Sequence, residues 1–276
     1  MYIKLFYIFL PIIISSANID PFKWVQTLPD PWKLKENQLN YFLPQFHDHF
    51  PDYQDRLIAL NLWRVGTPYG IFCLGEEKGF DTDPIIRIDT SDCTVHVLTT
   101  IAYAESKSCN EAKNTMIKLH YKPDGNGLVE PSYKSRWHYT SDRLLNNRKT
   151  PDITLKIVSP NITENVQIEL NKKQDGTQFL DLDWTSKQSL NFIPTIKINK
   201  NILDKLPKIC GVAFVKKSYF KNGIVIAHEG YIIDQKSLIH ASSKKKMTVN
   251  VDFLTYLFEN EQARFDGVMF YDIQQL

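Results

Sequence analysis

The fold class predicted by this sequence is α+β, and three observations predict it. Helical spacing dominates the first half, strand-like alternation dominates from Asp152 onward, and the last third is a run of short strands separated by turns. Helices first and an antiparallel meander last predict helices packed on one side of a sheet. No internal repeat, low-complexity tract or linker interrupts residues 18–276, so they are expected to form one domain.

Taking the chain in order, residues 1–17 carry a lone cation at Lys4, an apolar block from Leu5 to Ile14 and the small-residue exit Ser15-Ser16-Ala17. This is the grammar of a signal peptide, and the block is too short for an ordinary membrane-spanning helix. An uncleaved anchor is the alternative, weakened by Pro11. The expectation is a periplasmic or secreted protein, with no membrane partner after cleavage and monomeric. Residues 18–51 hold prolines and aromatics such as Trp24, Pro31, Trp32, Pro44 and Phe46, which predicts an extended wrapping segment with one short helix.

Asp52 to Val65 reads as a helix, with Leu57 and Leu60 on one face and Gly66 as its stop. Ser91-Asp92-Cys93-Thr94 opens a second, and Asn110 to His120 and a stretch ending near Asn147 give two more. Strands are predicted at Ile153 to Val158, Val166 to Leu170, Ile193 to Ile198, Val212 to Lys216, Ile224 to Ile233, Leu238 to Ala241, Met247 to Val251 and Gly267 to Ile273, with a helix at Phe253 to Phe258.

With 276 residues, 43% hydrophobic and 23% charged, the chain has ample material for a sizeable core. A net charge of +2, with lysines scattered rather than striped among aromatics, gives no argument for a nucleic-acid partner. Lys244-Lys245-Lys246 reads as a solvated turn, or else as a handle for anionic polymer.

Cys93, directly behind Ser91-Asp92, sits where unpaired backbone N–H groups and the helix dipole favour a thiolate. Asp92 is a competent N-cap, leaving the Cys93 N–H free for an oxyanion. A buried structural cysteine is the plainer alternative. A catalytic thiol must stay free, which leaves at most one disulfide among Cys73, Cys109 and Cys210. His228 and His240 lie in β-like surroundings, spaced for a hairpin that sets them side by side. A cysteine at a helix N-terminus with two paired histidines is the nucleophile, base and orienting group of a thiol hydrolase. His96, three residues after Cys93, is a rival base. Zinc is the rival reading of the trio, but no close Cys-x-x-Cys or His-x-x-x-His pair preorganises a site, so neither a metal nor another cofactor is expected.

These residues, with Gly66-Thr67-Pro68-Tyr69, Leu74-Gly75-Glu76, Asp83-Pro84, Asp92-Cys93-Thr94, Ser135-Arg136-Trp137-His138-Tyr139, Ala227-His228-Glu229-Gly230 and Ile239-His240-Ala241-Ser242-Ser243, carry a resemblance. The chain resembles the N-acetylmuramoyl-L-alanine amidase-like branch of the NlpC-type, papain-like cell-wall cysteine hydrolases, from about Asp52 to the C-terminus. The resemblance implies Cys93 as nucleophile, His228 as base, His240 as third triad member and Tyr69 as an active-site tyrosine. It implies a substrate groove including Glu76, Asp92, Arg136, His138 and Tyr139, and peptidoglycan or a muropeptide as substrate. After Asp-Cys-Thr the branch tends to have Thr, Phe, Val, Glu, where this chain has Val95, His96, Val97 and Leu98, so any contact made by that glutamate is in doubt. Cleavage within the stem peptide and a catalytically silent wall-binding module are the alternatives.

Overall fold

The computed structural model describes residues 20–71 and 86–275. The signal-peptide segment, Cys73, Glu76 and Asp83-Pro84 lie outside them. In chain order the helices are α1 (Pro21–Val25), α2 (Glu36–His49), α3 (Tyr53–Trp63), α4 (Cys93–Ala104), α5 (Cys109–His120), α6 (Thr140–Asn146), α7 (Thr154–Ile157), α8 (Lys200–Leu203) and α9 (Phe253–Leu257). The strands are β1 (Glu164–Leu170), β2 (Ser186–Pro194), β3 (Ile209–Val215), β4 (Ile226–Ile233), β5 (Ser237–Ser242), β6 (Met247–Asp252), β7 (Phe258–Glu259), β8 (Gln262–Ala263) and β9 (Gly267–Tyr271).

Among the described residues, seven strands form one antiparallel sheet in the order β1-β2-β9-β3-β4-β5-β6. The predicted meander is therefore only β3 to β6, because the last strand inserts between β2 and β3. Alternation splits the sheet into two faces. Ala213, Val215, Tyr231, Ile239, Met269 and Tyr271 pack with Leu57, Leu60, Val97 and Ile101 of α3 and α4. Val212, Phe214, Ile232, Leu238 and Phe270 pack instead with Ile157, Ile202, Leu203 and Phe253 of the short helices α7, α8 and α9. The expectation of helices on one side of the sheet is thus corrected, since short helices cover the second face.

Three local predictions also change. The segment 36–49 is a 14-residue helix, longer than the one short helix expected within an extended segment, despite Pro44 inside it. An internal proline costs about 3 kcal/mol, but Leu39, Leu43 and Phe46 all point into the core, at about 1.5–3 kcal/mol each. Within the strand expected over 153–158, Thr154–Ile157 instead form α7, because Ile153 and Ile157, four apart, are both buried while Leu155 is exposed. Asp152 Oδ1 accepts from the Thr154 N–H at 2.8 Å, which starts that turn. The strand expected over 193–198 ends at Pro194, gives way to a 3₁₀ turn with Ile196 in solvent, and extends instead upstream to Ser186.

Candidate active site

The first turn of α4 is fixed from three sides. The Asp92 carboxylate accepts from the Val95 N–H at 2.8 Å, an N-cap that leaves residue 93 at the start of the helix. Beneath it the buried Arg64 donates to Ser91 Oγ, Thr100 Oγ1 and the His96 carbonyl, each at 2.7 Å. Beside it the turn 66–70 docks onto two elements: Gly66 N–H donates to the Thr248 carbonyl, Tyr69 N–H to Lys246 and Gly70 N–H to Ser91. Gly66 has φ +100°, and a Cβ there would lie 2.7 Å from the Trp32 ring, so glycine is required twice over.

His228 and His240 come from the β4–β5 hairpin, whose turn residues Asp234 and Gln235 both have positive φ. The ladder pairs Tyr231 with Ile239, so His240 stands opposite Gly230, not opposite His228. A Cβ on Gly230 would meet His240 Cβ at 2.9 Å; glycine there lets the His240 ring lean toward the histidine two residues earlier. His228 Nε2 and His240 Nδ1 are 2.8 Å apart, with the rings at 85°. Phe214 and Phe265 stack on His228, and Tyr256 lies 4.5 Å from the His240 ring centre. Burial in this aromatic box holds His228 well below the usual histidine range and His240 at about 4, so both rings are neutral at pH 7.

Cys93 and His228 line one cleft of about 240 Å³, together with Asp92, Arg136, His138 and Tyr139. Burial pushes the Cys93 thiol up to about 12, and the carboxylates of Asp92 and Glu229 push the same way. The Glu229 backbone and the Thr94 side chain act in the opposite direction. Burial and the two carboxylates thus favour the neutral thiol, against the thiolate that a helix N-terminus by itself favours. Cys93, Cys109 and Cys210 are free thiols, so no bridge joins Cys109 to Cys210.

The remaining predicted residues divide. Arg136, almost fully buried, lies 5.8 Å from the Tyr133 ring, and His138 Nε2 meets the Tyr133 carbonyl at 2.6 Å. Tyr139 turns its hydroxyl away to Asn171 at 2.8 Å, presenting ring rather than O–H. Tyr69 pairs along the backbone with Ser91, two residues before Cys93, but it is not among the residues lining the cleft. Glu76 lies outside the described residues. His96 is fully buried, 3.1 Å from Asn61 Oδ1 and edge-on to Tyr231, and it does not line the cleft. No group of three or more metal-ligating side chains occurs among the described residues, and no helix there is long and apolar enough to cross a membrane.

Sequence reasoning missed the support beneath this site. Glu229, fully buried, faces Arg143, Thr94, Thr140 and Tyr271. Its signal was a charge inside the apolar alternation Ile226 to Ile232, which demands a buried partner. Nothing in the sequence pointed to Arg143 as that partner, or to Tyr256 and Phe265 as the walls around the histidines.

The fold is shared with known proteins. A Legionella pneumophila protein assigned to the family DUF1460 superposes with a TM-score of 0.68 at 20% identity, covering 87% of this chain and 96% of its own. An N-acetylmuramoyl-L-alanine amidase from Bacteroides uniformis gives 0.60 at 20% identity, over 79% of this chain and 98% of the other. A Bacteroides fragilis protein put forward as a xylanase gives 0.61 at 20% identity, over 78% and 100%. At such identity these likenesses establish the shared fold. Among curated proteins no sequence matches. The family model that does match spans residues 61–265, from within α3 to the turn between β8 and β9, and the chain therefore belongs to the AmiA-like, N-acetylmuramoyl-L-alanine amidase-like family.

Proposed function

We propose that this chain is an exported cysteine amidohydrolase of papain-like, NlpC-type design that cleaves the amide between the lactyl group of N-acetylmuramic acid and L-alanine in peptidoglycan fragments. The supporting observation is that Cys93 and His228 share one cleft while His228 Nε2 is engaged by His240 at 2.8 Å. As base, His228 requires the tautomer in which its Nε2–H donates to His240 Nδ1, leaving the His228 Nδ1 lone pair for the thiol.

Cys93 Sγ attacks the lactyl carbonyl carbon as its proton passes to His228 Nδ1, so charge separates only as the new bond forms. The oxyanion is placed near the Cys93 N–H at the start of α4, where the backbone has no intrahelical partner. Imidazolium His228 then protonates the alanine nitrogen, the C–N bond breaks, and a thioester to Cys93 remains. Water, deprotonated by His228, hydrolyses it to the free carboxylate and the thiol. Arg136, His138 and Tyr139 form the substrate wall of the cleft, with Asp92 at its floor, and Tyr69 is held by its turn beside the residue preceding Asp92.

Digestion of defined muropeptides, with the new ends identified by mass, tests the bond. Free L-alanyl peptide and an intact muramic acid carboxylate are expected. New ends between D-glutamate and the diamino acid would instead make the protein a stem-peptide endopeptidase, and no cleavage by reduced protein would make it a binding module.

A further inference from the structure

Residues 228 and 229 are neighbours in β4, so alternation sends their side chains to opposite faces of the sheet. His228 faces Phe214 and α9, whereas the nucleophile's helix packs on the other face. Something must therefore hold α4 against the strand carrying the base, across the edge where both open into the cleft. Glu229 stands there. Its carboxylate receives four donors: Arg143 Nη2 at 2.5 Å, Tyr271 OH at 2.9 Å, Thr94 Oγ1, next in the chain to Cys93, at 3.1 Å and Thr140 Oγ1 at 3.2 Å. These come from α6, β9 and the first turn of α4. Both charged side chains of the pair are 1% exposed.

A buried ion pair is a poor stabilising device, because desolvating two charges offsets most of their attraction and an apolar pair of the same volume is often as stable. Its distinctive contribution is directional, since four fixed donors leave a carboxylate one orientation. We propose that Glu229 is a positioning residue of the site: with Arg143 it locks Thr94, and so Cys93, in register with His228. This rests on the functional reading above. Glu229 touches no substrate atom through its side chain; it acts by setting where the sulfur lies relative to the base.

Two variants test it. Glu229→Gln keeps the shape but loses the charge that Arg143 requires, and Glu229→Asp keeps the charge but is one methylene too short to hold Arg143 and Thr94 together. In folded protein, judged by circular dichroism and a cooperative melt, each is expected to lower kcat on muropeptide, by about 10²-fold for Gln and about tenfold for Asp, with KM within about twofold. A kcat within about threefold of the parent in either folded variant overturns the proposal, since a purely structural role would lower the melting temperature and leave turnover per folded molecule alone. Should Glu229→Gln fail to fold, Glu229→Asp decides. Iodoacetamide alkylation, followed by the mass of the peptide holding Cys93, needs no substrate. It is expected to speed up about fivefold in Glu229→Gln as the thiol loosens and loses a neighbouring carboxylate. An unchanged rate counts against the positioning role even if the parent proves inactive on peptidoglycan, in which case it is the functional reading that has failed.

Discussion

Acid should weaken this fold through the pair of histidines at the site, and the size of the effect follows from His240. Its ring is buried against Tyr256 and His228, and burial first, then the Arg264 guanidinium, hold it down from 6.5 to about 4. The folded state therefore binds fewer protons than the unfolded state between those values. Stability from this group is complete above pH 6.5 and is lost as pH falls toward 4, where the unfolded chain takes up a proton that the folded chain resists. At about 1.4 kcal/mol per pH unit, His240 alone removes about 3 kcal/mol by pH 4, or about 6–12 °C of melting temperature for a chain this size. His228 and His96, also held low by burial, act in the same direction. The assay is urea unfolding from pH 7.5 to 4 on the parent and on His240→Gln, which keeps a polar side chain but cannot be protonated. The parent should lose about 3 kcal/mol more than the variant across that range. Parallel curves for the two proteins would refute the reasoning, because His240 would then be solvated or protonated in the folded state at no cost.

Four further outcomes are expected. Cys93→Ala should abolish muropeptide hydrolysis without lowering the melting temperature, and measurable turnover would remove Cys93 as nucleophile. His228→Ala should be as damaging as the loss of the thiol, while His240→Ala should retain more activity, because it orients the base without moving a proton; steady-state kinetics showing the reverse order would exchange their roles. Tyr69→Phe should lower kcat by about 10²-fold if its phenol serves the oxyanion, whereas a kcat within about twofold of the parent assigns the ring to packing. Tyr271→Phe removes one donor from the buried Glu229 carboxylate and should cost about 1.5–3 kcal/mol in denaturant unfolding; an unchanged midpoint would show that the other three donors suffice.

What was legible in the sequence was what local chemistry decides. Asp92 before an apolar helix and the hairpin spacing of His228 and His240 are each set by neighbours a few positions away, and the structure brings Cys93 and His228 to one cleft. Where two local signals competed, the weaker-looking one sometimes won. Pro44 argued against a helix that Leu39, Leu43 and Phe46 nevertheless form, because core burial outweighs one missing hydrogen bond. Ile153, Leu155 and Ile157 fit a period of two, but only the outer pair is buried, at helical spacing.

The insertion of β9 between β2 and β3 was beyond reach for a different reason: strand order depends on which distant edge a chain end meets, and Gly267 to Tyr271 would alternate identically at either edge. The same holds for the ion pair beneath the site. Arg143 sits in a short helix whose sequence, Thr-Ser-Asp-Arg, reads as solvated surface. It becomes interior only because α6 closes over Glu229, 86 residues further along the chain. A buried charge is thus a non-local property. That gives Glu229 its diagnostic value: a carboxylate in the middle of an apolar strand must be paired, and the partner it finds determines how the nucleophile's helix seats against the base.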